Sequence, residues 1–84
     1  ASAFPNPAQF FLYIPFYAET DAEVTIVVYD MNGSIVSETN HNVEQGPHFD
    51  QGAIGIDISD LASGPYAYIF IMDGESWKNN FIVK

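Results

Sequence analysis

The sequence has no cysteine and no arginine. Without cysteine there is neither a disulfide framework nor a thiolate metal site. Many small secreted domains are stapled by disulfides. A module that lacks them fits a bacterial extracytoplasmic setting better than a eukaryotic one. Cations are nearly missing as well. Lys78 and Lys84 stand against eleven acids, for a formal charge of -9. Nucleic-acid binding rests on cations that neutralise phosphates, so neither nucleic acid nor an anionic membrane surface is an expected partner. No apolar run approaches the ~20 residues that span a bilayer, so no membrane insertion is expected. No signal-peptide pattern opens the chain. Helical periodicity of useful length, internal repeats and low-complexity segments are also lacking.

What is present is apolar and aromatic. Eighty-four residues make one domain at most, 1–84, of which 48% are hydrophobic and 15% aromatic. A chain this short buries only about 60% of the surface its unfolded form exposes. Its core must therefore be dense in large side chains, and the composition supplies them. The chain opens abruptly at Ala1, as an excised piece of a longer polypeptide would.

The apolar residues alternate in short runs. Residues 1–8 read as an extended leader, with Pro5-Asn6-Pro7 biasing Phe4 and Asn6 away from helix. Phe10 to Tyr17 reads as a strand with Phe10, Leu12, Ile14 and Phe16 on one face. Pro15 within it cannot donate a ladder hydrogen bond, which places the segment at a sheet edge or bulge. Glu23 to Asp30 is the clearest strand, rich in β-branched residues and apolar on both faces. Asn32-Gly33 marks a hairpin and a return strand from about Ser34 to Thr39. Asn40 to Gly52 reads as polar and irregular. Ala53 to Ile58 alternates as a half-buried strand. Pro65 to Met72, the Asp73-Gly74 turn and Ser76 to Val83 form a closing hairpin, with Trp77, Phe81 and Val83 as packing residues. Six or seven short strands separated by turn signals predict an all-β fold, a single antiparallel immunoglobulin-like β-sandwich.

Candidate chemistry is sparse. His41 and His48 lie near Glu44 and Asp50, but a zinc site needs three or four convergent ligands. Both are read as structural or solvated loop histidines. Asp50, Asp57 and Asp60 could join carbonyls around calcium. Asp57-Ile58-Ser59-Asp60 is equally an ordinary turn, because Asp and Ser bond their own backbone, and the turn is the preferred reading. None of the six serines sits in a Gly-x-Ser-x-Gly elbow. Paired carboxylates for glycoside hydrolysis need a cleft that so small a domain hardly affords. No enzyme, cofactor or metal is expected. Aromatic side chains are the serious alternative. Trp77, Tyr13, Tyr17, Tyr66 and Tyr68 could stack on sugar rings, or simply fill the core. Tyr66 and Tyr68 are assigned to the core; Trp77 is left open.

The order of landmarks carries a resemblance. Pro5-Asn6-Pro7 is followed by Val24 through Tyr29-Asp30 and Gly33. Gly52 then leads to Ile56-Asp57-Ile58-Ser59, Leu61-Ala62-Ser63-Gly64, Tyr66 and Tyr68, and Phe81-Ile82-Val83-Lys84 ends the chain. Over essentially its whole length the chain resembles the C-terminal sorting domain of the bacterial type IX (Por) secretion system. The resemblance implies a noncatalytic β-sandwich appended to a secreted cargo of a Gram-negative bacterium. It implies recognition by the outer-membrane machinery after passage through the periplasm. Cleavage near the N-terminal boundary and surface attachment of the cargo are implied too. The recognition residues so implied are Gly64, Tyr66, Tyr68, Lys78, Phe81, Val83 and Lys84. Trp77, Tyr13 and Tyr17 belong to the alternative, a carbohydrate-binding or passive accessory module. Pro65 departs from the family pattern, which usually has a β-branched residue between the glycine and the tyrosine. The last strand also has fewer basic residues than the pattern leads one to expect.

Overall fold

The computed structural model describes residues 3–84. Eight strands follow one another: β1 (Phe11–Ile14), β2 (Phe16–Ala18), β3 (Ala22–Asp30), β4 (Ile35–Val43), β5 (Gly46–His48), β6 (Ile54–Asp57), β7 (Gly64–Met72) and β8 (Glu75–Val83). A short 3₁₀ turn, Asp50–Gly52, lies between β5 and β6. The larger layer is a four-stranded antiparallel sheet of order β4-β3-β7-β8. That is the arrangement of the C′-C-F-G sheet of an immunoglobulin-like sandwich. The smaller layer consists of two antiparallel pairs, β1 with β6 and β2 with β5.

Alternation along the strands decides what the layers share. From the large sheet, Val24, Ile26 and Val28 of β3 and Tyr66, Tyr68, Phe70 and Met72 of β7 face inward. Leu12 and Ile14 of β1 and Ile54 and Ile56 of β6 answer them from the small layer. Phe81, Leu12, Ile26, Ile58, Val24 and Val28 are the largest fully buried side chains. No buried side-chain polar atom is left without a partner among the described residues, so the core is apolar without cost from orphaned groups.

The two hairpins of the large sheet turn differently. At Asp73-Gly74 both residues have positive φ, 54° and 76°, the backbone a two-residue hairpin of matched twist requires. At the other, only Gly33 does (φ 84°). There the Asp30 carboxylate holds the loop, accepting from the N–H groups of Asn32 and Ser34 at 2.9 and 3.0 Å.

Three expectations are corrected. The segment Phe10 to Tyr17 is two strands, not one, because Pro15 separates β1 from β2. The two halves then pair with different partners, so Phe10 is exposed while Leu12 and Ile14 are buried. The stretch Asn40 to Gly52 is not irregular. β4 continues to Val43, carried by pairing with all of β3 from Ala22, and β5 follows. Polar side chains suit an edge strand, which is why polarity there gives a false impression of a loop. Finally, the leader, read as an extended linker entering the fold, is itself paired with both layers. Phe4 pairs antiparallel with Tyr13 of β1, and Ala8 pairs parallel with Val83 of β8. Ala8 is wholly buried. Residues Phe4 to Ala8 thus tie the two layers together. Ala1 and Ser2, also assigned to that leader, lie outside the described residues.

Candidate functional site

The closing hairpin, β7 and β8, holds all seven implied recognition residues, counting Lys84 just after β8. They do not form one patch. Tyr66, Tyr68, Phe81 and Val83 point into the core. Phe81 is the centre of that group, with ring centroids 5.8 Å from Tyr66 and 6.2 Å from Tyr68. The Tyr66 hydroxyl donates to the Ala62 carbonyl at 2.8 Å. That bond ties the start of β7 to the preceding turn, as the tyrosine corner does in immunoglobulin-like folds. Burial pushes the Tyr68 phenol above its ordinary pKa, opposed by hydrogen bonding to the Asn79 side chain and the Ala3 backbone. Gly64 takes φ 141° at the first position of β7. Lys78 and Lys84 are exposed.

Pro65 costs β7 no hydrogen bond. It is paired with Ile82, and both main-chain groups of Ile82 turn away from β7. The Ile82 carbonyl accepts from Ala8 N–H at 2.8 Å, and its N–H donates to the Asn6 side chain at 3.1 Å. The Pro65 nitrogen therefore faces the β3 side, where β3 has already ended at the Asp30–Tyr66 pair. A residue without an N–H is tolerated where no acceptor stands opposite.

The aromatic side chains considered for sugar stacking are divided between two surfaces. Tyr13 belongs to a ladder on the outside of the small layer, with its ring 5.6 Å from Phe4 and 6.0 Å from Phe11. That ring lies over Gly55, where a Cβ would come within 3.0 Å of it. Trp77 and Tyr17 instead flank a cleft of about 340 Å³ between the end of β1, β2 and the inner face of β7 and β8. Ile14, Phe16, Phe70 and Asn79 are among its other walls. Trp77 meets Phe70 edge-on at 5.8 Å, yet remains 49% exposed. It is at once a packing residue and a surface residue.

The polar candidates have local partners. His41 and His48 lie on β4 and β5 rather than in a loop. His41 Nε2 is 2.9 Å from Thr39 Oγ1. His48 donates from Nε2 to the Glu44 carbonyl at 2.7 Å, and its ring stacks on Phe16 at 4.5 Å. The Asp57 carboxylate accepts from the N–H of Ser59 at 2.9 Å and from its hydroxyl at 2.6 Å. Those two bonds hold its pKa below the ordinary carboxylate value. No group of three or more His, Asp or Glu side chains gathers in metal-binding fashion among the described residues.

The hydrophobic residues, the sandwich and the closing hairpin thus occupy the whole chain as one pattern. That pattern is matched by the model of the secretion system C-terminal sorting domain family over residues 2–84. The chain belongs to that family, the sorting domain of type IX secretion. No curated protein and no solved structure matched it. Membership of a sorting-domain family implies contact with the type IX machinery, an attached cargo, and a secreted or cell-surface destination. No helix among the described residues is long and apolar enough to cross a membrane. Within the sorting domain, sequence reading missed the structural part played by Asn6 and Ala8. The Pro-Asn-Pro motif was a sign of rigidity, but nothing in it pointed to a partner 76 positions away.

Proposed function

We propose that this sorting domain is a noncatalytic export signal, read by the outer-membrane type IX machinery, and that it carries an N-terminal cargo out of a Gram-negative periplasm. The family match over residues 2–84 supports the reading. The closing hairpin is the recognised element. Its buried members, Tyr66, Tyr68, Phe81 and Val83, hold the shape of the hairpin, while Lys78 and Lys84 and the exposed part of β8 meet the receptor. Cleavage of the domain and surface attachment of the cargo follow export in this reading. The test is to fuse residues 1–84 behind a periplasm-directed fluorescent reporter, in a host with working type IX machinery and in a machinery-null strain. Reporter outside the cell only in the competent host is the expected result. Equal retention in both strains would reject it.

One observation favours a second activity. Trp77 and Tyr17 flank one cleft, and two half-exposed rings beside an amide suit the apolar face and polar rim of a sugar. Retardation in affinity electrophoresis on one of a panel of polysaccharides, lost in Trp77→Ala, is the expected sign. No retardation on any of them removes this reading.

A further inference from the structure

β8 is an edge strand that its own sandwich leaves half covered. Phe81 and Val83 are buried, but every residue from Glu75 to Asn80 is exposed, on both faces of the sheet. The small layer does not reach over this part of the strand. Its main-chain groups are uncovered in a regular way. The pairing of β7 with β8 runs without a bulge from Gly64–Val83 to Met72–Glu75. Residues of one parity therefore bond β7, and those of the other parity face outward. Ile82 belongs to the outward set, because its N–H and carbonyl are taken by Asn6 and Ala8. Asn80, Lys78 and Ser76 share that parity. The Asn80 N–H is capped by the Asn79 side chain at 3.0 Å. Beyond that point the leader has turned away to pair with β1. The N–H and carbonyl groups of Lys78 and Ser76 face outward with no strand beside them among the described residues.

The other outer strand, β4, differs. Its polar side chains bond within the sheet, Thr25 to Asn40 at 2.7 Å and His41 with Thr39. The cleft beside it, at Asn42 and Val43, is lined by Asp21, Glu23 and Glu44. Beside the free part of β8 lies the cleft of Trp77, Phe70, Phe16 and Ile14.

From these observations we infer that residues Glu75 to Asn80 of β8 accept an added strand from the export machinery, continuing the edge pairing that Ala8 makes at Val83. The inference rests on the sorting reading above and names the surface and the mode of contact. A strand along this edge spans roughly 20 Å, at about 3.3 Å per residue. Its main chain bonds Ser76 and Lys78, and its alternate side chains drop beside Trp77 and Asn79 into the cleft, in the manner of β-augmentation. Those side chains are apolar. The charge of the domain, -9, selects the rest of the occupant. A second copy of this chain would meet like charge, whereas a segment with basic residues near Asp73 and Glu75 would be attracted.

Proline substitution tests the edge directly. Ser76→Pro and Lys78→Pro each remove an outward N–H without touching the β7 ladder. Each is made in the reporter fusion carrying the full chain, and folding is followed by protease resistance of the fusion. Export reduced at least tenfold by either proline, with protease resistance kept, is the expected result, and Ser76→Pro gives it without a change of charge. Export unchanged in both proline variants overturns the inference. A photo-reactive phenylalanine at position 76 decides the matter if the prolines lose protease resistance. An adduct to a machinery protein during export supports the edge. Export without an adduct, or an adduct only to a second copy of this chain, overturns it. Failure of the parent fusion to leave the cell would reject the sorting reading itself and this inference with it, whereas an exported parent with exported proline variants rejects the edge alone.

Discussion

At the scale of single residues, the burial of aromatic rings outweighs everything else. Phe81 is 2% exposed and touches both core tyrosines. Phe81→Ala is expected to cost about 3–5 kcal/mol, the usual range for emptying a buried phenylalanine site. Chemical denaturation will measure it. Tyr66→Phe is a gentler change. It removes the hydroxyl that bonds the Ala62 carbonyl and keeps the ring, so a loss of about 1 kcal/mol is expected. Asp57 gives a prediction with a pH sign. Its carboxylate is favoured in the folded state by Ser59, so its folded pKa lies below the unfolded one. The contribution to stability is complete above the unfolded value, about 3.9, and is lost as pH falls through the lowered folded value. An NMR titration should place the Asp57 midpoint below that of a free aspartate, and Ser59→Ala should move it back up. Most of these residues were legible in the sequence. Tyr66 and Tyr68 alternate with small or apolar residues in a β-branched context, and Asp57 precedes Ser59 in a plain turn motif. Trp77 was not legible, because a residue on the inward face of a strand is buried only where a second layer covers it. That depends on how far the small layer extends, which no local pattern records.

At the scale of elements, the leader is the most informative part. Phe4 pairs with β1 and Ala8 with β8, so the same few residues close both layers at one end. Three main-chain contacts depend on them at β8 alone: Ala8 to Ile82, Lys84 to Ala8, and Ile82 to the Asn6 side chain. At roughly 1 kcal/mol each, with the buried methyl of Ala8 besides, removal of residues 1–8 should destabilise the fold by about 2–4 kcal/mol. Hydrogen exchange should show faster exchange at Ile82 and Lys84 while Val24 to Val28 stay protected. Unchanged protection at Ile82 would contradict this role. Strands with strong alternation were readable from the sequence within a residue or two, β3, β6 and β7 above all, and β8 was marked by the Asp73-Gly74 turn before it and Phe81 and Val83 at its end. β4 past Thr39 and β5 were not, since an edge strand bears polar residues on both faces and shows no period of two. The leader was misread for a related reason. Its pairing is with strands far along the chain, and prolines carry no apolar alternation to betray it.

At the scale of the whole molecule, two properties act together. The large sheet ends in a hairpin whose inner residues are locked into the core and whose outer half, Glu75 to Asn80, is open. The surrounding surface is acidic, with only two lysines to set against eleven acids. Such a field discourages association between copies and with polyanions, while the open edge offers main-chain pairing to a chosen partner. The fold class was legible because strand after strand was separated by turn residues. The division of the surface into a closed end, tied by the leader, and an open end, beside the Trp77 cleft, was not. It arises from where strands stop rather than from what they contain. The sorting role is tested most directly by export of the reporter fusion in the competent and machinery-null hosts. Reporter outside the cell in the competent host alone is the expected result. Reporter held inside both, or released equally from both, would contradict it.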